Sequence, residues 1–171
     1  MTLIKPAVVA DCQLLATIGG QSFIESHGSS ASAVDIATYV AEKYTSEVFE
    51  KELANPENLY HIIYYGAEPA GYSKIILNTG HANIGAGNVT KLERLYLLKE
   101  FYDKKLGHEL LQFNVALARQ NSQSGMWLFT WTGNERAVNF YKRSGFKIIG
   151  SHDFKISETH YNPNHQMLLT F

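Results

Sequence analysis

Residues 134–146, NERAVNFYKRSGF, carry the most informative pattern in the chain. Asn134 stands where a helix N-cap would, because its side chain can accept a hydrogen bond from a backbone N–H of the first turn. Gly145 stands where the helix would end, because glycine adopts the left-handed conformation of a C-terminal stop without a steric cost. Between them, Ala137 permits close packing and Phe140 is expected to face the core. A well-capped helix accounts for these positions.

A second informative stretch, KLERLYLLKEFYDKKLGH, occupies residues 91–108. We expect residues 89–98 to form a strand and residues 105–121 a helix, in which leucine and phenylalanine recur at helical spacing. Residues 126–131 then return as a strand, which makes a right-handed βαβ unit. The turn before the helix therefore lies at the carboxyl end of a strand. Free backbone N–H groups and the helix dipole converge there, which is typical of anion-binding sites.

The remaining elements follow from changes in hydrophobic period. Residues 60–65 and 70–77 form a predicted hairpin, and small polar residues at 26–32 predict a loop. Further strands are predicted at residues 3–6, 146–150 and 166–171, and further helices at 10–23, 34–44 and 48–53, the last with Thr45 or Ser46 as its cap. An opening helical layer followed by alternating strands and helices indicates an α/β domain with a mixed sheet.

Composition limits the classes of function. A chain of 171 residues with 45% hydrophobic and 18% charged residues fits one globular domain. The formal net charge of −1 gives no basic field for nucleic acid or an anionic membrane. No apolar run approaches the ~18 residues of a membrane span, and no secretory signal is apparent. Cys12 is the only cysteine, which favours the reducing cytoplasm.

The two stretches together resemble the GNAT family of N-acetyltransferases. Residues 134–146 match its signature N-x-x-A-x-x-F-Y-x-x-x-G-F at every defined position, including Tyr141, which a capped helix does not require. The likeness is strongest over residues 92–150. Within the family, the early part of the chain is similar to the bacterial spermidine/spermine N-acetyltransferase branch, through weak motifs at 22–23, 26–32, 39–40 and 47–56.

This resemblance implies the fold and the acetyl donor. The fold would be a single α/β domain over residues 1–171, with a mixed, mostly antiparallel sheet of six to seven strands flanked by helices. The co-substrate would be acetyl-CoA, and the acceptor the primary amine of a small molecule, with a polyamine as one candidate. A protein or peptide N-terminal acetyltransferase and a non-catalytic acyl-CoA sensor stay open as alternatives. A homodimer is possible, and no nucleic acid, membrane or metal partner is expected.

The family's phosphate-binding turn reads Arg/Gln-x-x-Gly-x-Gly/Ala, and this chain keeps only its last glycine, Gly107. Tyr102 replaces the first residue and Lys105 the first glycine. Lys104 and Lys105 could offset the lost fit with positive charge, although a solvated basic turn would look the same. The residues assigned to CoA by the resemblance are Leu95, Tyr96, Leu97, Asp103, Lys104, Lys105, Leu106, Gly107, His108 and Asn134.

Catalytic residues are assigned in the same way. By the resemblance, Tyr141 corresponds to the family's general acid. A phenol of pKa ~10 suits that role, because it can return a proton to a departing thiolate. Glu93 is the candidate base, with an ion pair to a neighbouring lysine as the alternative. Leu95 and Leu97 are expected to share one face of the strand with Glu93.

Three polar residues near the predicted 26–32 loop are assigned to the acceptor. Glu25, His27 and Asp35 would suit a cationic amine, although scattered surface polarity explains them equally well. Trp127, Phe129 and Trp131 alternate along a strand, which favours a place in the core.

Overall fold

The computed structural model describes residues 1–171. Seven strands form one sheet, and five α-helices flank it. The strands are β1 (Thr2–Pro6), β2 (Asn58–Tyr65), β3 (Glu68–Ile76), β4 (Val89–Leu97), β5 (Gly125–Trp131), β6 (Lys147–Lys155) and β7 (Tyr161–Thr170). The helices are α1 (Cys12–His27), α2 (Ala33–Lys43), α3 (Ser46–Ala54), α4 (Leu106–Gln120) and α5 (Glu135–Arg143), with 3₁₀ turns at Val9–Asp11 and Lys99–Phe101.

The sheet has the order β1-β2-β3-β4-β5-β7-β6. Every neighbouring pair is antiparallel except β4 and β5, which are parallel because α4 carries the chain back between them. The prediction of a mixed, mostly antiparallel sheet of six to seven strands is confirmed. The predicted hairpin is formed by β2 and β3.

Local capping signals place two helices as the sequence predicts. The Asn134 side chain accepts a hydrogen bond from the Ala137 N–H at 3.1 Å, which starts α5. Gly145 follows that helix at a φ of 94°, the left-handed stop expected of glycine. Thr45 caps α3 in the same manner, through a 3.2 Å hydrogen bond from the Val48 N–H.

The predicted loop at residues 26–32 is wrong in its first part. Helix α1 continues through Ser26 and His27. The Ser22 and Ser26 hydroxyls donate to carbonyls of the preceding turn, Gly19 O at 3.2 Å and Ser22 O at 2.7 Å, so these serines are accommodated inside the helix. His27 therefore lies at the end of a rigid element.

The helices lie on opposite faces of the sheet. In β3, Ser73 is hydrogen-bonded to Asn114 of α4, whereas its neighbour Lys74 is bonded to Glu52 of α3. Successive strand residues point to opposite faces, so α3 and α4 must cover different faces. Helix α1 lies on the α3 side, since these two helices pack against each other.

A β-bulge interrupts β4. Arg94 pairs with Lys74 and Leu92 with Ile75, which leaves Glu93 as an extra residue between them. Glu93 consequently points to the same face as Arg94, towards Lys74, whereas Leu95 lies opposite Ser73 on the α4 face. The expectation that Glu93 shares a face with Leu95 and Leu97 is wrong, because the bulge shifts the alternation by one residue.

Strands β4 and β5 diverge soon after they meet. Only Val89–Lys91 pair with Gly125–Trp127, although β4 continues to Leu97 and β5 to Trp131. Beyond Lys91 the facing edges of the two strands have no strand partner. The sheet therefore opens into a wedge between them.

Candidate functional site

A cavity of about 920 Å³ lies in this wedge and is lined by residues from both faces of the sheet. On one face it is bordered by α4 and α5, and on the other by α1 and α2. Most of the residues assigned from sequence line it. They are Glu93, Leu95, Tyr96, Leu97, Asp103, Lys105, Leu106, Gly107, His108, Asn134, Tyr141 and His27.

Three assigned residues lie outside the cavity lining. Lys104 instead places its ammonium 5.0 Å from the centre of the Tyr65 ring. Glu25 accepts a hydrogen bond from the Lys99 N–H at 2.7 Å, and Asp35 accepts one from the Ser32 hydroxyl in the first turn of α2. Both acids thus have local partners away from the cavity.

The turn before α4 is held in an uncommon backbone conformation. Asp103 and Lys105 have φ values of 64° and 62°, in the left-handed region that favours glycine. Lys105 is the N-cap residue and makes no side-chain cap, so N–H groups of the first turn of α4 remain available at the cavity. A helix start of this kind favours a negatively charged ligand.

Lys105→Gly is a direct test of this conformation. We expect the substitution to raise the free energy of unfolding by about 1 kcal/mol, because glycine adopts the left-handed region without the steric penalty of a side chain. If the turn binds the pyrophosphate of CoA, as the resemblance implies, CoA affinity should stay within about tenfold, since backbone N–H groups would contribute most of the contact. Chemical denaturation and calorimetry measure the two quantities. A large loss of affinity would instead assign the contact to the lysine ammonium.

Helix α5 supplies two basic residues that the sequence analysis missed. Arg136 and Arg143 line the cavity. The Arg136 guanidinium lies 4.0 Å from the centre of the Tyr102 ring and 3.1 Å from the Asp103 carboxylate, so it joins α5 to the turn before α4. Their spacing of seven residues places both on one helix face, which is the signal that could have found them.

Tyr141 lies on α5 at the cavity wall and is only 8% exposed. Its ring packs against Phe140 and Phe146, with centroid distances of 5.1 and 5.4 Å. Burial raises the pKa of Tyr141 above its ordinary value of 10.0. The hydroxyl is therefore protonated at neutral pH and can act as a proton donor.

Glu93 lies between two lysines at the other face of the wedge. It is paired with Lys74 and, at 3.2 Å, with Lys91. Burial by itself raises the pKa of Glu93, but the hydrogen bond and charge of Lys74 and the charge of Lys91 outweigh it and hold the pKa below its ordinary 4.5. Glu93 is thus ionised at neutral pH, and the ion pair anticipated as an alternative is present.

Glu93→Gln should reveal the ion pairs through the pH dependence of stability. A depressed carboxyl pKa stabilises the folded state above the ordinary pKa of 4.5, and that contribution is lost as the pH falls through the lower folded value. We expect the variant to be less stable by about 1–3 kcal/mol at pH 7. The two proteins should converge in acid, which denaturation between pH 3 and pH 8 would follow. A difference that is independent of pH would contradict this interpretation.

The face opposite α4 and α5 presents aromatic side chains to the cavity. His27 stacks on Phe23 at 4.7 Å between ring centres and lies 5.8 Å from Trp131. Burial lowers the pKa of His27 to about 4, so the imidazole is neutral at pH 7. Trp131 and Phe129 line the cavity, which corrects the expectation that they belong to the core. Trp127 is buried, as expected.

Two further observations concern other classes of site. No group of three or more histidine, cysteine, aspartate or glutamate side chains is arranged to hold a metal ion. None of the helices is both long enough and apolar enough to cross a membrane.

Comparisons with known proteins agree with this architecture. An N-acetyltransferase of Lactobacillus delbrueckii subsp. lactis, itself uncharacterized, is 28% identical over 160 residues, which cover 92% of each chain. A spermidine N(1)-acetyltransferase of Thermoplasma acidophilum is 24% identical over 145 residues, 85% of this chain and 88% of that protein. The crystal structure of the PaiA N-acetyltransferase of T. acidophilum with coenzyme A superposes with a TM-score of 0.79 at 21% identity, covering 100% and 99% of the two chains.

The sequence profile described as the acetyltransferase (GNAT) family matches residues 29–146. This range includes the wedge between β4 and β5, the turn before α4 and the whole of α5. The chain belongs to the GNAT family of acetyltransferases.

Proposed function

We propose that this GNAT acetyltransferase moves the acetyl group of acetyl-CoA directly onto the primary amine of a small molecule, with Tyr141 as the general acid. The observation that supports it most is the continuous cavity between β4 and β5. Its lining comes from both faces of one sheet, so a donor on one side and an acceptor on the other could meet in it. A donor and an acceptor that meet in such an opening need no covalent enzyme intermediate.

The residues around the α4 side of the cavity fit the donor. The whole cavity, of about 920 Å³, lies near the upper end of the ~300–1,000 Å³ that is usual for a small-molecule site, which leaves room for a donor beside an acceptor. The unpaired edge of β4 along Leu95–Leu97 offers amide groups to the extended pantetheine arm. The N-terminus of α4, together with Lys105, Arg136 and Arg143, suits the pyrophosphate.

Acetyl-CoA supplies a thioester when it is bound. The protein must then donate one proton to the departing sulfur and remove another from the acceptor amine. The Tyr141 hydroxyl is protonated at neutral pH, so it can donate to the departing sulfur. The acceptor amine must lose a proton before it attacks. Glu93 is an ionised carboxylate in the cavity lining and is proposed to accept that proton through water, although its two lysine partners make it a weak base.

Two measurements test the proposal in sequence. CoA and acetyl-CoA should each raise the melting temperature, by an amount equivalent to roughly 2.7 kcal/mol at a hundredfold excess over the dissociation constant. At least one member of a panel of primary amines should then release free thiol from acetyl-CoA, and the panel includes spermidine, the amine in the name of the Thermoplasma relative. If millimolar CoA does not shift the melting temperature, the assignment of acetyl-CoA as the donor would be contradicted. Tight CoA binding without transfer to any amine or peptide would favour an acyl-CoA sensor.

A further inference from the structure

We propose that the acceptor is a primary amine whose reacting nitrogen is the only basic group on an aromatic or bulky apolar body, and that polyamines are poor substrates. The inference rests on the proposed acetyl transfer and adds to it the chemical class of the acceptor. It is drawn from the side chains on the α1 and α2 side of the cavity, which we call the acceptor half.

A connected set of rings forms the wall of the acceptor half. Its members come from five elements and all line the cavity: Phe23, His27, Tyr39, Tyr96, Trp131 and Phe154. Phe23 lies 4.9 Å from Tyr39, and Tyr39 lies 6.0 Å from Phe154, measured between ring centres. On the other side, His27 lies 5.9 Å from Tyr96. Such a wall binds a flat or bulky apolar group through burial of its surface.

The wall is uncharged at neutral pH. Burial lowers the pKa of His27 to about 4, which leaves its ring neutral. Burial also raises the pKa of Tyr39 and Tyr96, so neither phenol is ionised. The acceptor half therefore offers ring faces and neutral polar groups along this wall.

Both carboxylates of the cavity lining already have cationic partners. Glu93 is paired with Lys74 and Lys91. Asp103 is at the opposite end, beside the turn before α4, and is 3.1 Å from Arg136. An ammonium group of the acceptor other than its reacting amine would thus find no unpaired carboxylate in the acceptor half.

The floor of the acceptor half is positive rather than negative. Arg94 lines the cavity and is stacked over the rings of Tyr44 and Phe49, at 5.5 and 5.4 Å. Its partner Glu52 also accepts a hydrogen bond from Lys74 at 3.0 Å, so this acid is shared between two cations. Added positive charge next to this network is electrostatically unfavourable.

The two classes of amine differ at the moment of reaction. A monoamine must be neutral to attack, so it brings no net charge into the acceptor half. Spermidine still carries two ammonium groups when its reacting nitrogen is deprotonated, since each amine has a pKa near ~10. Cation–π attraction to the rings recovers only part of the lost hydration of a buried ammonium. The pocket therefore discriminates against polyamines.

The test compares 2-phenylethylamine with spermidine as acceptors for the full chain and acetyl-CoA. We expect kcat/KM for 2-phenylethylamine to exceed that for spermidine by on the order of 10²-fold, as a buried unpaired charge would cause. Binding of each amine to the CoA-saturated protein, followed by the shift in melting temperature, gives a readout that does not depend on turnover. Here 2-phenylethylamine should shift the transition and spermidine should not.

A pair of variants at one position of the wall isolates the effect of charge, because both remove the same ring and only one adds a carboxylate. Phe154 is half-buried on β6 and is placed next to Tyr39. Phe154→Glu should improve the ratio of spermidine to 2-phenylethylamine at least about tenfold, because it provides the missing carboxylate. Phe154→Leu also removes the ring but adds no charge, so it should show no such gain for spermidine.

The outcomes separate this inference from the proposed function. Efficient acetylation of spermidine by the parent would overturn the acceptor class and leave acetyl transfer intact. If neither amine is acetylated, the thermal shifts decide: a shift with 2-phenylethylamine alone supports the acceptor class while transfer fails. Equal shifts, or no shift with either amine, would overturn the inference.

Discussion

Tyr141→Phe is expected to reduce turnover 10²–10⁴-fold while leaving acetyl-CoA binding nearly unchanged. The substitution removes one hydroxyl from the cavity wall and retains the ring that packs against Phe140 and Phe146. A proton donated to sulfur matters most as charge develops in the transition state. The loss should therefore appear equally in kcat and in kcat/KM, as steady-state kinetics would measure.

A control for this variant should alter a tyrosine away from the cavity. Tyr64→Phe removes a hydroxyl from β2, where Lys5 lies over the ring, and should leave kcat unchanged. Calorimetry with acetyl-CoA confirms that the Tyr141 variant still binds its donor. If Tyr141→Phe turns over at the parental rate, the proton comes from solvent or from another group.

Gly107→Asp should weaken CoA binding by about 10²-fold, equivalent to about 2.7 kcal/mol. Gly107 lies in the first turn of α4, where the pyrophosphate is proposed to bind, so a carboxylate there would repel the ligand. The same charge interacts favourably with the helix dipole, and the fold should not lose stability through it. Affinity and stability are thus expected to change independently.

The matched control is Gly107→Ala. A methyl group at this position would lie 3.4 Å from the Leu97 side chain and 3.9 Å from Phe140, which are ordinary contact distances. The alanine variant should bind CoA within a few-fold of the parent by calorimetry. Equal affinities for the alanine and aspartate variants would mean that the phosphates bind elsewhere.

The parts of the fold set by local chemistry could be predicted from the sequence. Asn134 and Gly145 act on backbone groups within four residues of themselves, so the bounds of α5 follow from residue type alone. The bulge at Glu93 has a different origin. It depends on how β4 pairs with Lys74 and Ile75 in β3, which no pattern within β4 specifies.

The candidate site likewise has one part that continuous stretches of sequence specify and another that forms only on folding. The residues assigned to CoA could be proposed from the sequence because the turn before α4 and helix α5 are continuous stretches of chain. The aromatic wall was missed because Phe23, Tyr39, Trp131 and Phe154 are brought together only by folding, and each alone is typical of a core residue. The contacts of Arg136 also depend on folding, since its partners Tyr102 and Asp103 lie in another element, although its seven-residue spacing from Arg143 was present in the sequence.

The short contact between β4 and β5 also affects the cooperativity of the molecule. Strands β1–β4 form one continuous antiparallel unit, and β5, β7 and β6 form another. Only three residue pairs join the two units within the sheet, and the remaining coupling runs through packed side chains and through hydrogen bonds such as that from the Ser124 N–H to Asn88 O. Sub-global openings tend to follow such weakly joined boundaries. The cavity lies at this boundary. A ligand that contacts both β4 and β5 would therefore stabilise the two units against separating from each other.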